Sequence, residues 1–187
     1  MTQKSTIIGI TGPFGSGKTT AAAFFEERGF YKITLSSFLE EALRKGKKEV
    51  TRRNLQNLGN KWRTQKGSGI LAKKALEFIS ENNIEKAVVD GIRNIGEVDQ
   101  FKKNSDFSLI GVLANRNIRL ERLQKLKRRE KLNRQIFDKL DYRDLGVGEK
   151  ETGLQVAVCL SISDYFILNN GGGKEFRQKL EDTLGKI

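Results

Sequence analysis

The chain has 187 residues, 37% hydrophobic and 31% charged, with a single proline, a balance that suits one compact domain and excludes a fibrous or disordered chain. One cysteine and no histidine rule out an internal disulfide, a Cys/His zinc site and a Ser-His-Asp triad, so any catalysis must use Lys, Arg, Asp or Ser/Thr. The net charge of +12 points to anionic partners, and no apolar run approaches the roughly 18 residues of a membrane span; a soluble cytoplasmic protein, monomer or homodimer, with no membrane partner is expected.

Thr6 to Ile10 reads as a short buried strand, followed by a glycine-rich turn and an Ala/Phe-rich helix from Thr19 to Glu27. Tyr31 to Leu35 is the next strand. Ser36-Ser37 is placed to cap a helix reaching Lys45, and Thr51 to cap another through Arg63, with Leu55, Leu58 and Trp62 on its inner face. A helix from Leu71 to Ile79 leads into a strand, Ala87 to Val89, that ends at Asp90-Gly91. Phe107 to Leu113 is a fourth strand. Helices are predicted over Asn117–Glu130, Gln135–Tyr142 and Leu154–Ile162, then a fifth strand at Tyr165–Leu168 and a last helix from Lys174 to Leu184. Short apolar strands without period-two alternation, separated by helices, indicate a parallel sheet covered on both faces. Cys159 falls in an apolar helix and is expected to be a buried small hydrophobe. Basic residues cluster twice: nine against one acid from Arg44 to Lys66, and nine against two from Arg116 to Arg134.

Gly12, Pro13, Phe14, Gly15, Ser16, Gly17, Lys18 and Thr19 match G-x-x-x-x-G-K-[ST] between a strand and a helix, the context this motif requires. Its glycines let backbone N–H groups turn inward around phosphate oxygens, and the following helix N-terminus adds partial positive charge. With Thr20 these residues form an expected ATP-binding loop, in which Lys18 reaches the β- and γ-phosphates and Thr19 offers a hydroxyl to Mg²⁺. The carboxylate that such a site needs near the metal is assigned to Asp90, at a strand end. Three residues on, Arg93 stands at the sheet edge where ligands of open α/β folds bind, and its guanidinium suits a second phosphate.

Over most of its length the chain resembles the nucleoside monophosphate kinase group of P-loop kinases. The loop stands at the N-terminus, and Asp90-Gly91-Ile92-Arg93 is similar to the Asp-Gly-x-Pro-Arg segment that holds the acceptor phosphate in adenylate kinases. Arg119-Leu120-Glu121-Arg122-Leu123, with Arg128-Arg129 after it, looks like the start of that family's lid. Asp164 to Gly171 looks like its last strand and the loop beside the donor base. The resemblance implies a three-layer α/β fold with a five-stranded parallel sheet of order 2-3-1-4-5. It implies a single kinase domain over 1–187, an acceptor-binding helical segment over 36–66 and a short lid over 122–143, both basic blocks facing bound nucleotides. The implied catalytic set is Lys18, Asp90, Arg93, Arg122 and Arg129, with Arg119, Arg128 and Arg143 in reserve, and Thr19 and Asp90 on the metal.

The acceptor is less sharply marked. Adenylate kinases carry Ser-Thr-Gly-Asp-x-Leu-Arg after the second strand, where this chain has Thr34-Leu35-Ser36-Ser37-Phe38-Leu39-Glu40, so Arg44 or Arg52 is the candidate to replace the missing arginine. Thr51-Arg52-Arg53-Asn54-Leu55-Gln56 and Asp90-Gly91-Ile92-Arg93-Asn94 resemble a set of dephospho-CoA kinase-like and (deoxy)nucleotide kinase-like proteins. A hydroxyl acceptor needs a base, and dephospho-CoA kinases place an aspartate where Leu35-Ser36-Ser37 stand. A nucleoside monophosphate is already anionic near pH 7 and needs only grip and alignment. Phosphate transfer from ATP to a small-molecule nucleotide, a nucleoside or deoxynucleoside monophosphate, is therefore expected, with dephospho-CoA as the alternative acceptor. A nucleic-acid-binding ATPase or a non-enzymatic nucleotide sensor is the alternative from another class; the basic blocks offer only Trp62 as a stacking platform, which argues against nucleic acid.

Overall fold

The computed structural model describes residues 5–126 and 132–187. The chain opens with strand β1 (Thr6–Thr11), helix α1 (Lys18–Glu26), strand β2 (Tyr31–Thr34) and three helices, α2 (Leu35–Lys45), α3 (Arg52–Lys66) and α4 (Ile70–Glu81). Strand β3 (Lys86–Ile92), helix α5 (Ile95–Asn104) and strand β4 (Asp106–Leu113) follow. Helices α6 (Arg116–Lys125), α7 (Arg134–Leu145) and α8 (Val156–Ser161) lead to strand β5 (Tyr165–Leu168) and helix α9 (Gly173–Leu184). The strands form one parallel sheet in the order β2-β3-β1-β4-β5, the order the resemblance implies.

Neighbouring strand residues point to opposite faces, and both faces are covered, which is why the strands carry no polar alternation. On one side Ile7, Val89 and Leu109 pack with Leu35, Leu39 and Leu71 of the α2–α4 layer and with Phe101 of α5. On the other, Ile8, Val88, Ile110 and Ile167 pack with Phe24 and Phe25 of α1 and Phe176 of α9. Cys159 is buried in the first cluster as expected, and burial pushes its thiol up to about 12. No helix among the described residues is long and apolar enough to cross a membrane.

Several boundaries differ from the sequence expectation. Helix α2 begins at Leu35 with Thr34 as its extended N-cap, and Ser37 Oγ donates back to the Thr34 carbonyl at 2.7 Å, so Ser36-Ser37 lie inside the helix. Thr51 caps α3 as expected, accepting from Asn54 N at 3.1 Å. Helix α6 ends at Lys125 and α7 runs three residues past Tyr142 to Leu145, where Gly146 at φ +107° closes it; residues 127–131, Arg128 and Arg129 among them, lie outside the described part. Helix α5 is an element the periodicity does not predict, because its mostly polar sequence buries few apolar side chains, chiefly Val98 and Phe101.

The start of α5 matters for what lies beside it. Asn94 Oδ1 accepts from Gly96 N at 2.8 Å, and Glu97 Oε2 reaches back to Asn94 N at 3.2 Å and Arg93 N at 2.8 Å, a capping box. The other Glu97 oxygen accepts from Arg63 Nε at 3.0 Å and Nη2 at 2.8 Å. Arg63 is 2% exposed and Glu97 wholly buried, so each charge depends on the other for solvation. Glu97→Ala should lower unfolding stability by about 3–5 kcal/mol in a urea titration, because it strands the Arg63 charge and two backbone N–H groups.

Candidate active site

In the parallel sheet, β1 ends between β3 and β4, and the loop after it opens at their C-terminal edge, where the crevice of an open α/β fold lies. Gly17 caps α1 in the left-handed region at φ +108°. A Cβ there would also run into the Asn169 side-chain amide, so glycine is required twice over. At Gly15, φ is +81° and a Cβ would lie 2.9 Å from both the Arg119 carbonyl oxygen and Leu123 Cδ1; helix α6 rests directly on the loop. Lys18 is buried and its Nζ donates to the Gly12 and Pro13 carbonyls at 2.7 and 3.0 Å. Ser16 Oγ is buried with no hydrogen-bond partner among the described residues, a donor set against the loop it would serve. Thr19 and Thr20, by contrast, are exposed.

Asp90 sits opposite, at the register position of Ile10, just before the pairing slips between Ile10 and Thr11. The residue gained by that slip is Gly91, at φ +93°, a bulge that turns the chain toward the cleft. Thr19 Oγ1 donates to Asp90 Oδ2 at 3.0 Å, so the hydroxyl and carboxylate assigned to a metal are neighbours. Both are hard oxygen donors of the kind Mg²⁺ takes. Arg93 emerges just past the bulge and pairs with a carboxylate not singled out from the sequence, Asp144 of α7. The same Asp144 oxygen pairs with Arg52 Nη2 at 2.8 Å, and the Arg52 guanidinium lies 4.4 Å from the Phe14 ring centre. Arg52, Arg63 and Arg93 line one cleft with Ser36, Gln56 and the side chains of Leu35, Leu39, Leu55, Leu71 and Leu154.

The remaining candidates divide. Arg122 Nη2 donates to Asn169 Oδ1 at 3.3 Å, and Asn169 Nδ2 donates to the Ser16 carbonyl at 2.8 Å, so Arg122 stands at the loop and the segment after β5 does flank it. Arg119 is not available to a ligand: it is buried, chelates Asp141 at 2.5 and 2.9 Å, and donates to the Phe14 carbonyl at 2.9 Å. Arg143 pairs with Glu149 and donates to Asn57 at 2.8 Å, away from the cleft. Arg44 is on the surface beside Glu40. The first basic block does not face the cleft as a whole: only Arg52 and Arg63 line it, while Lys45, Lys47, Lys48, Arg53, Lys61 and Lys66 face solvent. Asp144 and Glu97 are site residues absent from the sequence-based assignment, whereas Asn169 belongs to the segment from Asp164 to Gly171 expected beside the donor. Glu97 was detectable from the Asn94-x-x-Glu97 capping pattern; Asp144 lies 51 and 92 residues from its partners and carries no local signal.

Burial lowers the Lys18 ammonium to about 7, with Arg93 adding to the effect and Asp144 and Asp90 opposing it. For Asp144 burial works upward, but Arg52, Arg93 and Lys18 outweigh it and hold the carboxyl at about 2. Because Lys18 is lowered from 10.5, the unfolded chain binds more protons between pH 7 and 10.5, and this residue makes stability rise with pH across that window. Lys18→Met should therefore be more stable than the parent at neutral pH, the gain shrinking toward pH 10.5. Polyphosphate at Lys18 restores the charge, so ATP binding near pH ~8.5 should take up protons, measurable by calorimetry in two buffers of different ionisation heat.

The AAA domain family matches residues 8–143. A UPF0200 protein from Sulfurisphaera tokodaii is 33% identical over 182 residues, covering 97% of each chain. Among solved structures, TT1252 from Thermus thermophilus superposes with a TM-score of 0.63 at 20% identity, covering 99% of both chains. Shikimate kinase from Acinetobacter baumannii, in complex with shikimate, gives 0.59 at 15% identity over 99% of this chain and 93% of that one. Dephospho-CoA kinase from Campylobacter jejuni gives 0.51 at 14% over 97% of each. At these identities the likeness lies in the fold, that of P-loop kinases. With a loop built to cradle phosphate at the centre of that sheet, the chain belongs to the UPF0200 family and to the AAA domain family of P-loop NTPases.

Proposed function

We propose that this protein is an ATP-dependent phosphotransferase whose acceptor is a small phosphomonoester, a nucleoside or deoxynucleoside monophosphate. The observation that carries the reading is the pair of guanidiniums, Arg52 and Arg93, lining one cleft and close enough to Lys18 to act on its charge, as Asp90 does. A phosphoryl transfer between two anions asks little covalent chemistry of a protein; it asks for alignment and for positive charge where negative charge gathers. Lys18 and the inward N–H groups of residues 12–19 hold the donor phosphates. Arg93 and Arg52 grip the acceptor phosphate in line with them. The leucines of the cleft suit the acceptor's base and exclude water.

Thr19 and Asp90 fit a Mg²⁺ ion, which when bound neutralises charge on the donor phosphates. Arg122, already beside the loop, is the described arginine placed to follow the transferring phosphoryl; Arg129 completes the assignment of 122–143 as lid. Residues 36–66 serve as the acceptor segment through Arg52, Arg63 and Ser36. A hydroxyl acceptor fits less well: Leu35 and Ser36 stand where a base is needed, and Asp90 is engaged with Thr19. A second reading, polyanion binding, is favoured by the solvent-facing cations Lys47, Lys48, Arg53, Lys61 and Lys66.

Transfer from γ-labelled ATP to a panel of ribo- and deoxynucleoside monophosphates should yield labelled diphosphate, with Lys18→Ala inactive. Arg93→Ala should lower kcat/KM for the acceptor by about a hundredfold or more while changing the KM for ATP little. Dephospho-CoA run beside that panel tests the alternative acceptor, and labelled CoA from it would replace the monophosphate reading. Tight, salt-dependent oligonucleotide binding unaffected by Arg93→Ala, without transfer, would support the polyanion reading instead.

A further inference from the structure

We propose that Asp144 is a positioning residue that aims Arg52 and Arg93 together at the acceptor, making two guanidiniums from distant parts of the chain into one anion clamp. The inference rests on the phosphotransfer reading and adds to it the residue that sets the geometry of the grip.

Asp144 ends α7 and is wholly buried. A single oxygen, Oδ1, takes both ion pairs, one from the first residue of α3 and one from the residue after β3. The two arginine side chains are 14% and 16% exposed and line the cleft, whereas Asp144 does not. The carboxylate therefore stands behind the guanidiniums, and an acceptor meets the arginines without displacing it. Two like charges on one oxygen repel each other, but both attract the buried carboxylate, and sharing it brings both guanidiniums to one place. Each arm has a further support. The Phe14 ring lies under Arg52, and Glu97 holds Arg93 through its backbone N–H at 2.8 Å. Among the described residues, Arg93 gives its side chain only to Asp144, through Nη1, and its other N–H groups remain for a ligand.

The placement of Asp144 on α7 extends the consequence. One turn earlier, Asp141 grips Arg119, which donates to the Phe14 carbonyl of the phosphate loop. A single helix thus references the donor loop and the acceptor clamp to each other, the relation that in-line transfer depends on.

The test is a comparison of Asp144→Asn with the parent, using AMP, CMP, GMP, UMP, dAMP, dCMP, dGMP and dTMP as acceptors and following the one the parent phosphorylates fastest. Loss of aim should raise the KM for that acceptor about tenfold or more and leave the KM for ATP within about threefold. A merely structural role would lower the melting temperature and the active fraction, seen as kcat, with the acceptor KM unchanged; that result overturns the proposal alone. Transfer by the parent to none of the eight overturns the phosphotransfer reading and the proposal with it. Should Asp144→Asn not fold, nitrogen-15 NMR of the arginine side chains in the acceptor-free parent decides. Slow rotation of the Arg52 and Arg93 guanidiniums supports the clamp, and free averaging overturns it.

Discussion

Positive charge gathered at one sheet edge repels itself, and the rest of this molecule is arranged around holding it there. Lys18, Arg52, Arg63, Arg93 and Arg119 are all buried or half-buried near the C-terminal ends of β1 and β3. Three wholly buried carboxylates oppose them: Asp144 for Arg52 and Arg93, Glu97 for Arg63, Asp141 for Arg119. Each acid is fully desolvated and would be costly alone, as would each buried arginine. Paired, they fix guanidiniums at defined points while the charge of the region stays positive. Among the described residues Lys18 has no direct carboxylate partner and rests on two loop carbonyls instead, which is why burial and Arg93 draw its proton affinity down toward neutrality.

The sheet supplies the frame for those pairs. Parallel strands end at one edge, so loops after β1 and β3 and the segment after β5 converge although they are far apart in sequence. The slip beside Ile10 and Gly91 then turns Arg93 out of the strand register, and Glu97 pins its backbone from the next helix. On the donor side Asn169 ties the Ser16 carbonyl to Arg122. The residues proposed to hold donor and acceptor are thus carried by strand ends, helices and the turns between them, which leaves few degrees of freedom to order on binding.

The two basic blocks illustrate how charge in sequence misleads about charge in space. Both suggest nucleotide-facing surfaces, yet helical periodicity turns only Arg52 and Arg63 of the first toward the cleft and sends most of the others to solvent. In the second, Arg119 is spent on Asp141 and the Phe14 carbonyl, a structural use that its composition gives no hint of. Long cationic side chains are solvated wherever water is at hand, so their number in a segment reports little about a site.

The features legible in the sequence were local. Apolar strand runs and the phosphate-loop glycines marked the elements and the donor site, because strand burial and a tight anion-binding turn each demand particular residues at consecutive positions. Asp90 and Arg93 were legible for the same reason, as a strand end beside that turn. Helix α5 was not, since its mostly polar residues bury only a narrow apolar stripe and its one local mark was a capping box. The role of Asp144 emerged only when the layers packed, while Asn169 fell in a segment already expected beside the donor. Asp144 lies 92 residues from Arg52 and 51 from Arg93, and a carboxylate on a polar helix resembles any solvated acid until folding removes its water. Which charges end up buried together is a property of the packed layers, and no spacing in the chain encodes it.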